Sequence, residues 1–441
     1  MSEAEPTRFR VAPGGSVSGT LAIPGDKSIS HRALMLGGIA DGQTDISGFL
    51  AGEDCLATAR ALTALGVRIE WASPTQARVH GVGLAGLKGA AAPLDMGNAG
   101  TAMRLMMGLL AGQPFASSLI GDASLMRRPM ERVAAPLRLM GANITTHEGR
   151  PPVAIRPAGP LRAISYTLPV ASAQVKSALL LAALAARGRT RITEPAPSRD
   201  HTERMLAAFG VELLREGATL ALEGGQSLTG TAIEVPADFS SAAFFLVAGC
   251  LAADAPLVLK NVGVNPTRTG LIEILQRMGA DIRVHPRDVG GAANAELIAD
   301  LEVRRSPLRG ISVPESLVPL AIDEFPVFFV AAACASGESV VRGAHELRVK
   351  ESDRLAAMAA GLTVLGIENQ LLSDGLWLRG AGGFEGGTIE SLGDHRIAMA
   401  FAVAALRARG PIEIRDVANV ATSFPGFLAT ARAAGLQIEA A

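Results

Sequence analysis

Six times along this chain, a helix-like stretch ends in an apolar residue, followed by Gly and then by a strand-like run of alternating polarity. The copies read ALTALGVRIEW, PLRLMGANITT, MLAAFGVELLR, ILQRMGADIRV, GLTVLGIENQL and TARAAGLQIEA. Their glycines are Gly66, Gly141, Gly210, Gly279, Gly366 and Gly435, at steps of 75, 69, 69, 87 and 69 residues. Glycine suits the left-handed position that ends a helix and lets the chain turn at once into a strand. The pattern therefore predicts six copies of one α/β unit.

An almost wholly apolar segment with a polar front end precedes each of these glycines. The six segments read SISHRALMLGGIADG, NAGTAMRLMMGLLAG, SAQVKSALLLAALAARG, FSSAAFFLVAGCLAAD, DEFPVFFVAAACASG and DHRIAMAFAVAALRARG. A helix that is apolar on all sides must be buried, and these are too short and too often interrupted by Gly to span a bilayer. We therefore expect a core made of helices, with sheets outside it.

The six repeats divide three and three along the chain. A length of 441 residues also favours two domains over a single core. We assign residues 23–237 to one lobe, and residues 1–22 plus 238–441 to the other, because a strand-like N-terminal arm precedes the first complete unit. The expected fold is of the α/β (α+β) class, with two pseudo-symmetric lobes and an active site in the cleft between them.

Composition excludes several classes of function. With 41 basic and 42 acidic residues the net charge is −1, so no overall field favours nucleic acid or a membrane surface. The three cysteines, Cys55, Cys250 and Cys334, lack metal-binding spacing, and the last two lie in apolar helices as buried thiols would. The N-terminal MSEAEPTRFRVAPGG has no apolar stretch typical of a secretion signal, so we expect a cytoplasmic protein.

The polar front ends of the six apolar helices carry most of the unusual residues. They are Gly25–Arg32, Gly97–Arg104, Ala171–Gln174, Pro236–Ser241, Ile322–Phe325 and Gly393–Arg396. Parallel helices would turn their N-termini, with free N–H groups and positive dipole ends, toward one space suited to anions. Ordinary N-capping by Ser, Asn and Asp is the alternative. Capping does not explain Lys27, Arg32 or Arg396, because cations at a helix N-terminus oppose the dipole.

Three further basic clusters support an anionic ligand. They are Arg127–Pro129, Ser198–His201 and Arg348–Arg354. A solvated turn, a helix cap and a surface salt-bridge run are the respective alternatives. In the last cluster Glu351 and Arg354 would share a face if they lie on one helix.

Two carboxylates stand out by their sequence context. Asp323 opens an otherwise apolar helix, and Glu351 lies among Arg348, Lys350 and Arg354. A carboxylate among cations stays ionised easily, yet can exchange a proton with a bound substrate. The residues by themselves thus indicate an enzyme that acts on a small polyanionic substrate by acid/base chemistry.

Taken together, nine segments resemble the 5-enolpyruvylshikimate-3-phosphate synthase family, the 3-phosphoshikimate 1-carboxyvinyltransferases. They are PGDKSISHRA, GNAGTAMR, GDASLMRRPM, ASAQVKSALL, SRDHTERM, IDEFP, ELRVKESDRL, GDHRIAMA and ATSFPGF, in the family's order over essentially the whole chain. The resemblance implies lobes of three βαβαββ repeats around buried helices, an inside-out α/β barrel.

The resemblance also implies an activity and the residues that perform it. The activity is transfer of the enolpyruvyl group of phosphoenolpyruvate to the 5-hydroxyl of shikimate 3-phosphate with release of phosphate, the sixth step of the shikimate pathway toward chorismate and the aromatic amino acids. Asp323 and Glu351 would be catalytic. Shikimate 3-phosphate would be bound by Lys27, Ser28, Arg32, Ser172, Gln174, Arg199, Asp323 and Lys350, and phosphoenolpyruvate by Lys27, Gly100, Arg128, Gln174, Arg354 and Arg396. The resemblance implies no cofactor or metal, and we expect a monomer.

Some positions leave the response to the inhibitor glyphosate open. Gly100 is the residue of glyphosate-sensitive relatives, whereas Leu105 follows the tolerant branch. The motif Ala421–Pro425 lacks the lysine of enteric relatives, so one phosphoenolpyruvate contact is absent or supplied elsewhere.

Two other functions are compatible with parts of this pattern. A UDP-N-acetylglucosamine enolpyruvyl transferase would share the fold, but it typically has Cys or Asp in a mobile loop that reads GDASLMRRPM here, without Cys. A non-catalytic anion-binding protein on the same fold is the second alternative. The presence of Lys27, Asp323, Glu351 and Arg354 argues against it.

Overall fold

The computed structural model describes residues 7–287 and 296–441. The described chain divides into two compact units. The inserted unit is Gly25–Val235 together with Glu296. The flanking unit is the rest, on both sides of the inserted unit along the chain. The lobes expected from the sequence, 23–237 and 1–22 plus 238–441, include residues 1–6 and 288–295, which lie outside the described residues.

The N-terminal arm and the inserted unit contain the following elements. The arm has β1 (Arg8–Val11) and β2 (Val17–Ala22), and the inserted unit has α1 (Lys27–Ile39), β3 (Asp41–Ser47), α2 (Glu53–Ala64), β4 (Arg68–Ser73), β5 (Gln76–Val82), β6 (Leu94–Asp95), α3 (Gly100–Leu110), β7 (Ser117–Ile120), α4 (Glu131–Leu139), β8 (Asn143–His147), β9 (Arg150–Arg156), β10 (Ser165–Thr167), α5 (Ala173–Leu184), β11 (Arg189–Thr193), α6 (His201–Ala208), β12 (Leu213–Glu216), β13 (Thr219–Glu223) and β14 (Ala232–Glu234).

The flanking unit continues with the remaining elements. They are α7 (Phe239–Ala252), β15 (Ala253–Gly263), α8 (Gly270–Arg277), β16 (Asp281–Pro286), β17 (Ile298–Arg304), α9 (Phe325–Cys334), β18 (Glu338–Val341), α10 (Arg354–Val364), β19 (Asn369–Leu371), β20 (Leu376–Arg379), β21 (Gly387–Glu390), α11 (His395–Ala404), β22 (Ile412–Arg415), α12 (Val420–Ser423), α13 (Phe427–Ala434) and β23 (Ile438–Ala440).

All six repeat glycines end helices in the left-handed conformation. Their φ angles lie between 81° and 113°, at the ends of α2, α4, α6, α8, α10 and α13. At Gly435 a side chain is excluded for two reasons. The backbone there is left-handed, and a Cβ would lie 2.1 Å from the carbonyl oxygen of Ser16. The predicted six-fold helix, glycine and strand repeat is thus confirmed.

The sheets repeat one strand order. In each four-stranded sheet the first strand pairs parallel with the second, and the other two pairings are antiparallel. The orders are β14-β3-β5-β4, β6-β7-β9-β8 and β10-β11-β13-β12 in the inserted unit, and β2-β15-β17-β16 and β21-β22-β1-β23 in the flanking unit. The sheet β18-β20-β19 has three strands. In place of the first, parallel strand of the other sheets it has isolated parallel bridges, such as that between Ser312 and Val340.

Strands from distant parts of the chain complete a sheet in each unit. In the inserted unit β14 pairs with β3, although they lie at opposite ends of that unit's chain. In the flanking unit β1 lies between β22 and β23, and β2 pairs with β15. The N-terminal arm therefore joins the first and last repeats of the flanking unit.

Each unit has its own core of buried helices. The six apolar segments form α1, α3, α5, α7, α9 and α11, and every residue of α7 is buried. Glycine allows these helices to approach closely, since a Cβ on Gly108 of α3 would lie 2.0 Å from the carbonyl oxygen of Ala178 in α5. The apolar cores of the two units share no residue. The prediction of helical cores with sheets packed around them is confirmed.

The thiols of the cysteines are enclosed by the fold. Burial raises the pKa of the Cys250 and Cys334 thiols to about 12, as expected for structural thiols. Cys55, which the sequence places in a more polar setting, is also buried.

None of the helices in the described ranges is long and apolar enough to cross a membrane.

A histidine is buried within α1. The Nδ1 atom of His31 lies 2.8 Å from Thr58 Oγ1, and its side chain is fully enclosed. Burial, and then the nearby cations of Lys27 and Arg32, hold the pKa of His31 well below its usual value of 6.5. His31 is therefore neutral in the folded protein at neutral pH.

We expect mild acid to destabilise the inserted unit through His31. Below pH 6.5 the unfolded chain protonates His31 while the folded chain does not, so the unfolded state binds more protons. This contribution to the free energy of unfolding is present above pH 6.5, and it falls by about 1.4 kcal/mol per pH unit below it, until the folded-state pKa is reached. Chemical unfolding at two pH values, one on each side of 6.5, measures the loss. Between the two pH values, His31→Asn should lose less stability than the unaltered protein does. The variant His147→Asn, at an exposed position, should lose as much as the unaltered protein. Equal losses in both variants would contradict this account.

Candidate functional site

The start of α1 brings a cation to the surface of the inserted unit. Asp26 caps the helix by accepting a hydrogen bond from the Ile29 N–H at 2.9 Å. Lys27 then occupies the first helical position, where the dipole disfavours a cation, and its ammonium pairs with the buried carboxylate of Asp54. Asp54 lies in the first turn of α2 and offsets that cost. The Lys27 side chain remains 21% exposed, so a ligand in solvent can reach it.

Arg32 is a buried cation surrounded by uncharged acceptors. Its Nε donates to Thr202 Oγ1 at 2.7 Å, its Nη2 to Ser177 Oγ at 2.9 Å, and its Nη1 to the carbonyl of Ser28 at 2.9 Å. No hydrogen bond of Arg32 within the described chain goes to a carboxylate. Burial lowers the pKa of Arg32 to about 10, only partly offset by Glu203 and other acidic groups at longer range. An anion bound here would stabilise the charged guanidinium, so the surroundings of Arg32 suit the binding of an anion.

A second group of cations lies at the front of α3. Arg128, which follows a short 3₁₀ helix (Leu125–Arg127), donates to the carbonyl of Asn98 at 3.2 Å, to the Asn98 amide oxygen and to Ser124 Oγ at 3.2 Å. Arg104 of α3 donates to Gln174 Oε1 at 2.7 Å, and Gln174 donates in turn to Thr101 Oγ1 at 2.8 Å. Arg128 is only 6% exposed, so the solvated turn considered for this segment is wrong for Arg128, whereas Arg127 is exposed.

Gly100 allows these two guanidinium groups to lie where they do. A Cβ at position 100 would lie 2.9 Å from Arg128 Nη1 and 3.4 Å from Arg104 Nη1. The first distance is shorter than real contacts allow, so a methyl group would displace the end of the Arg128 side chain. The residue type at position 100 therefore controls the position of a cation.

The other predicted residues of the inserted unit lie around these groups. Ser172 caps α5, accepting from the Val175 N–H at 3.4 Å. Ser28 lies in the first turn of α1, with its carbonyl bonded to Arg32. Arg199 lies in the loop before α6, close enough to Arg32 to lower the pKa of that guanidinium electrostatically. Gln174, which binds Arg104, and Ser177, which binds Arg32, are three residues apart on α5. One face of this helix therefore contacts both arginines.

In the flanking unit one buried guanidinium holds three carboxylates. Arg354 is 1% exposed. It donates from Nε to Asp394 at 2.8 Å, from Nη1 to Asp323 at 3.2 Å, and from Nη2 to Glu351 at 2.6 Å and Asp394 at 3.3 Å. Carboxylates, Asp394 first, more than offset burial and raise the pKa of Arg354 above its usual value. Arg354 thus fixes the predicted catalytic pair, Asp323 and Glu351, relative to each other.

Two further cations approach Asp323. Lys350 Nζ lies 3.3 Å from Asp323 Oδ1, and Arg396 donates to the Asp323 carbonyl at 3.0 Å. Three cationic groups within reach favour the ionised carboxylate, which can accept a proton from a bound hydroxyl. The predicted residues Asp323, Lys350, Glu351, Arg354 and Arg396 are therefore gathered in one cluster of the flanking unit.

Two local predictions about helices are wrong. Asp323 does not open α9, because that helix begins at Phe325 after Glu324. Glu351 and Arg354 do not share a helix face, since the Asp353 side chain caps the Ala356 N–H at 3.1 Å and α10 begins only at Arg354. The loop conformation before the cap nevertheless brings the two side chains together.

The charged run around Glu351 is not a plain surface salt-bridge run. Arg348 pairs with Asp353 at 2.6 Å, and it also donates to the carbonyls of Leu372 at 2.6 Å and Ser373 at 2.8 Å. Arg348 therefore attaches the segment to the turn between β19 and β20. This attachment holds Lys350 and Glu351 in place.

Sequence reasoning assigned no individual role to four residues in or beside these clusters. Asp394 caps α11 by accepting from the Arg396 N–H at 2.9 Å while it holds Arg354. Glu324 is buried beside Arg396 Nη1 at 3.7 Å and binds Ser240. Arg104 and Lys176 are buried charges within apolar helices, and that feature alone could have identified both.

The chemistry available to the two clusters differs. The inserted unit offers Lys27, Arg32 and Arg128 with amide and hydroxyl groups, which suit binding of acidic groups. The flanking unit offers two carboxylates of different exposure on a shared cation, which suit proton transfer. In the described ranges no group of three or more His, Cys, Asp or Glu residues is arranged to hold a metal ion.

Comparisons with known proteins agree over nearly the full length. The model of the EPSP synthase (3-phosphoshikimate 1-carboxyvinyltransferase) family matches residues 11–430. The chain is 59% identical to the 3-phosphoshikimate 1-carboxyvinyltransferase of Methylococcus capsulatus, over 98% of each chain, and 59% identical to that of Alkalilimnicola ehrlichii, over 98% of this chain and 96% of the relative.

Solved structures give the same result for the fold. The EPSP synthase of Acinetobacter baumannii superposes with a TM-score of 0.87 at 53% identity, covering 98% of this chain and 99% of that one. The enolpyruvyl transferase NikO from Streptomyces tendae superposes with a TM-score of 0.78 at 18% identity, covering 99% of each, and so shares the fold. By sequence and by fold, this chain belongs to the EPSP synthase (3-phosphoshikimate 1-carboxyvinyltransferase) family.

Proposed function

We propose that the chain transfers the enolpyruvyl group of phosphoenolpyruvate to the 5-hydroxyl of shikimate 3-phosphate and releases phosphate. This is the reaction of its family, in the shikimate pathway toward chorismate and the aromatic amino acids. The observation that carries the proposal is the pair of carboxylates, Asp323 and Glu351, held by the single buried guanidinium of Arg354. The reaction needs one group that protonates a methylene carbon and another that removes a hydroxyl proton.

In the proposed mechanism Glu351 gives a proton to the methylene carbon of phosphoenolpyruvate, and positive charge develops at C2. The 5-hydroxyl oxygen attacks C2 while Asp323 accepts the hydroxyl proton. The resulting tetrahedral adduct then loses phosphate, which takes the proton that Asp323 accepted, and Glu351 takes back one proton from the methyl group as the double bond forms again. Glu351 is 18% exposed and Asp394 is not exposed at all, which supports Glu351 in the proton-transfer role and Asp394 as the group that positions Arg354.

The same proposal assigns residues to the binding of each substrate. Shikimate 3-phosphate would be held by Lys27, Ser28, Arg32, Ser172, Gln174, Arg199, Asp323 and Lys350, and phosphoenolpyruvate by Lys27, Gly100, Arg128, Gln174, Arg354 and Arg396. The burial of Arg32 and its hydrogen bonds to uncharged acceptors support its role. Fixed cations that hold two anionic substrates together would supply positioning and electrostatic stabilisation without a metal or cofactor.

The contacts of Arg354 narrow its proposed role. A guanidinium has five N–H donors, and four of those on Arg354 point at carboxylates of the described chain. One donor on Nη1 is left for a phosphoenolpyruvate oxygen. We therefore assign Arg354 mainly to holding Asp323 and Glu351, and Arg128 and Arg396 to direct binding of the substrate.

The alternatives weighed from the sequence are less well supported. Both bacterial relatives described above are named for the shikimate reaction, so the UDP-N-acetylglucosamine reaction is not favoured. The organised carboxylate pair argues against a non-catalytic anion-binding protein. A monomer in the cytoplasm is the state that we propose for the active protein.

Phosphate release from phosphoenolpyruvate tests the function and the two carboxylates together. Release should require shikimate 3-phosphate, and UDP-N-acetylglucosamine should not replace it. Asp323→Asn and Glu351→Gln should each lower turnover by about a hundredfold or more, as expected for loss of a positioned acid or base. The exposed Glu223→Gln, which loses only a surface pair with Arg189, is the control and should turn over normally. Near-normal turnover in either site variant would refute the role assigned to it.

A second prediction concerns Gly100 and glyphosate. A methyl group at position 100 must displace Arg128, so Gly100→Ala should raise the Michaelis constant for phosphoenolpyruvate. Glyphosate is an anion longer than phosphoenolpyruvate and would use the same cations, so its inhibition constant should rise further, by about ten- to two-hundredfold. Steady-state inhibition kinetics measure both constants. Gly159→Ala is the control, because a Cβ there meets nothing within 4 Å. Equal changes in the two constants would contradict a selective clash.

A further inference from the structure

Lys176 is a completely buried lysine that no step of the proposed mechanism uses. It lies on α5, one residue before Ser177 and two after Gln174, and its exposed fraction is zero. Its ammonium has three partners, Glu203 at 2.7 Å, Glu194 at 3.0 Å and the carbonyl of Ser198 at 3.3 Å. All three donors of the ammonium are thereby engaged.

These partners lie along one stretch of chain, which we call the 194–203 segment. Glu194 follows the last residue of β11, Ser198 lies in the middle of the loop, and Glu203 lies in the first turn of α6. The Ser198 hydroxyl also donates to Glu194. Pro195 and Pro197 have no N–H to donate, so the only strand-like bond at the start of the segment is from the Glu194 N–H to the Ala218 carbonyl at 3.0 Å among the described residues. Lys176 attaches the segment at three further points.

Residues proposed to bind shikimate 3-phosphate depend on the 194–203 segment. Arg199 directly follows Ser198. Thr202 directly precedes Glu203, and its hydroxyl accepts from Arg32 Nε at 2.7 Å and donates to Ser177 Oγ at 2.7 Å. Any shift of the segment would therefore move Arg199 and remove a hydrogen bond that orients Arg32.

A purely structural role would not need this arrangement of charges. Burying Glu203 raises its pKa despite the neighbouring Lys176, so the cluster is held at a cost in desolvation. Apolar side chains could fill the same space at lower cost. The arrangement fixes the position of a polar loop that leads into a binding site.

We propose that Lys176 is a positioning residue that holds the 194–203 segment so that Arg199 and Arg32 can bind shikimate 3-phosphate. This inference rests on the proposed function. Lys176 touches no substrate in it and acts through Glu194, Glu203 and the Ser198 carbonyl. Without the ammonium, the buried Glu194 loses its counter-charge and Glu203 keeps only the exposed Arg215, at 3.4 Å, so the segment moves toward solvent.

Steady-state kinetics of Lys176→Met test the proposal. The Michaelis constant for shikimate 3-phosphate should rise roughly tenfold or more, as for loss of a charge-assisted hydrogen bond. The constant for phosphoenolpyruvate should stay within about twofold, because none of the bonds described above links Arg128 to the segment. Arg189→Met, which removes an exposed ion pair on β11, is the matched control and should leave both constants unchanged. Equal effects on both substrates, or a loss of turnover alone, would overturn the proposal.

Hydrogen exchange without substrate separates this inference from the proposed function. In Lys176→Met the backbone amides of the 194–203 segment should exchange at least tenfold faster than in the unaltered protein, whichever acceptor the enzyme uses. Unchanged exchange overturns the positioning role even if the shikimate reaction stands. If shikimate 3-phosphate supports no turnover in the unaltered protein, the function fails while exchange still decides the structural claim. Should Lys176→Met not fold, Glu194→Gln takes the same measurements, and an unchanged Michaelis constant there overturns the proposal.

Discussion

Burying a charged side chain is expensive, and the arrangement of both clusters follows from how each buried charge is stabilised. Arg354 is stabilised by three carboxylates, and Lys176 by two carboxylates and a carbonyl. Arg32 has only uncharged acceptors, and burial lowers its pKa. The first two charges are satisfied within the protein and organise their surroundings. The third would be best stabilised by a bound anion, which supports the proposed role of Arg32 in substrate binding.

The repeated fold provides the places where such charges can be held. Each apolar helix is buried along its length, and its charged residues lie in its first two turns, where loops and caps can reach them. Asp26, Asp238 and Asp394 each cap one of these helices by accepting a backbone N–H. Asp394 also holds Arg354, so a residue that starts a helix at the same time fixes the groups proposed for catalysis. Local folding and the site are thus connected through single side chains.

The sequence predicted the features that have a short-range physical cause. Glycine at the helix ends and the apolar character of six segments were sufficient for the repeat and the helical cores. The pairing of β14 with β3 and of β1 with β22 could not be predicted, because it depends on contacts between distant parts of the chain. For the site, the motif matches assigned roles to Asp323, Glu351 and Arg354, but none to Asp394 or Lys176, which also lie in matched motifs. A cap such as Asp394 looks ordinary in sequence, and the role of Lys176 depends on where Glu194 and Glu203 lie in space.

The structure of the protein with shikimate 3-phosphate bound tests the central claim most directly. If the uncharged hydrogen-bond partners of Arg32 leave its charge to be balanced by a ligand, an acidic group of that ligand, its carboxylate or its phosphate, should accept a hydrogen bond from Arg32, with the Thr202 and Ser177 contacts retained. A ligand bound with no acidic group within hydrogen-bond distance of Arg32 would contradict the account.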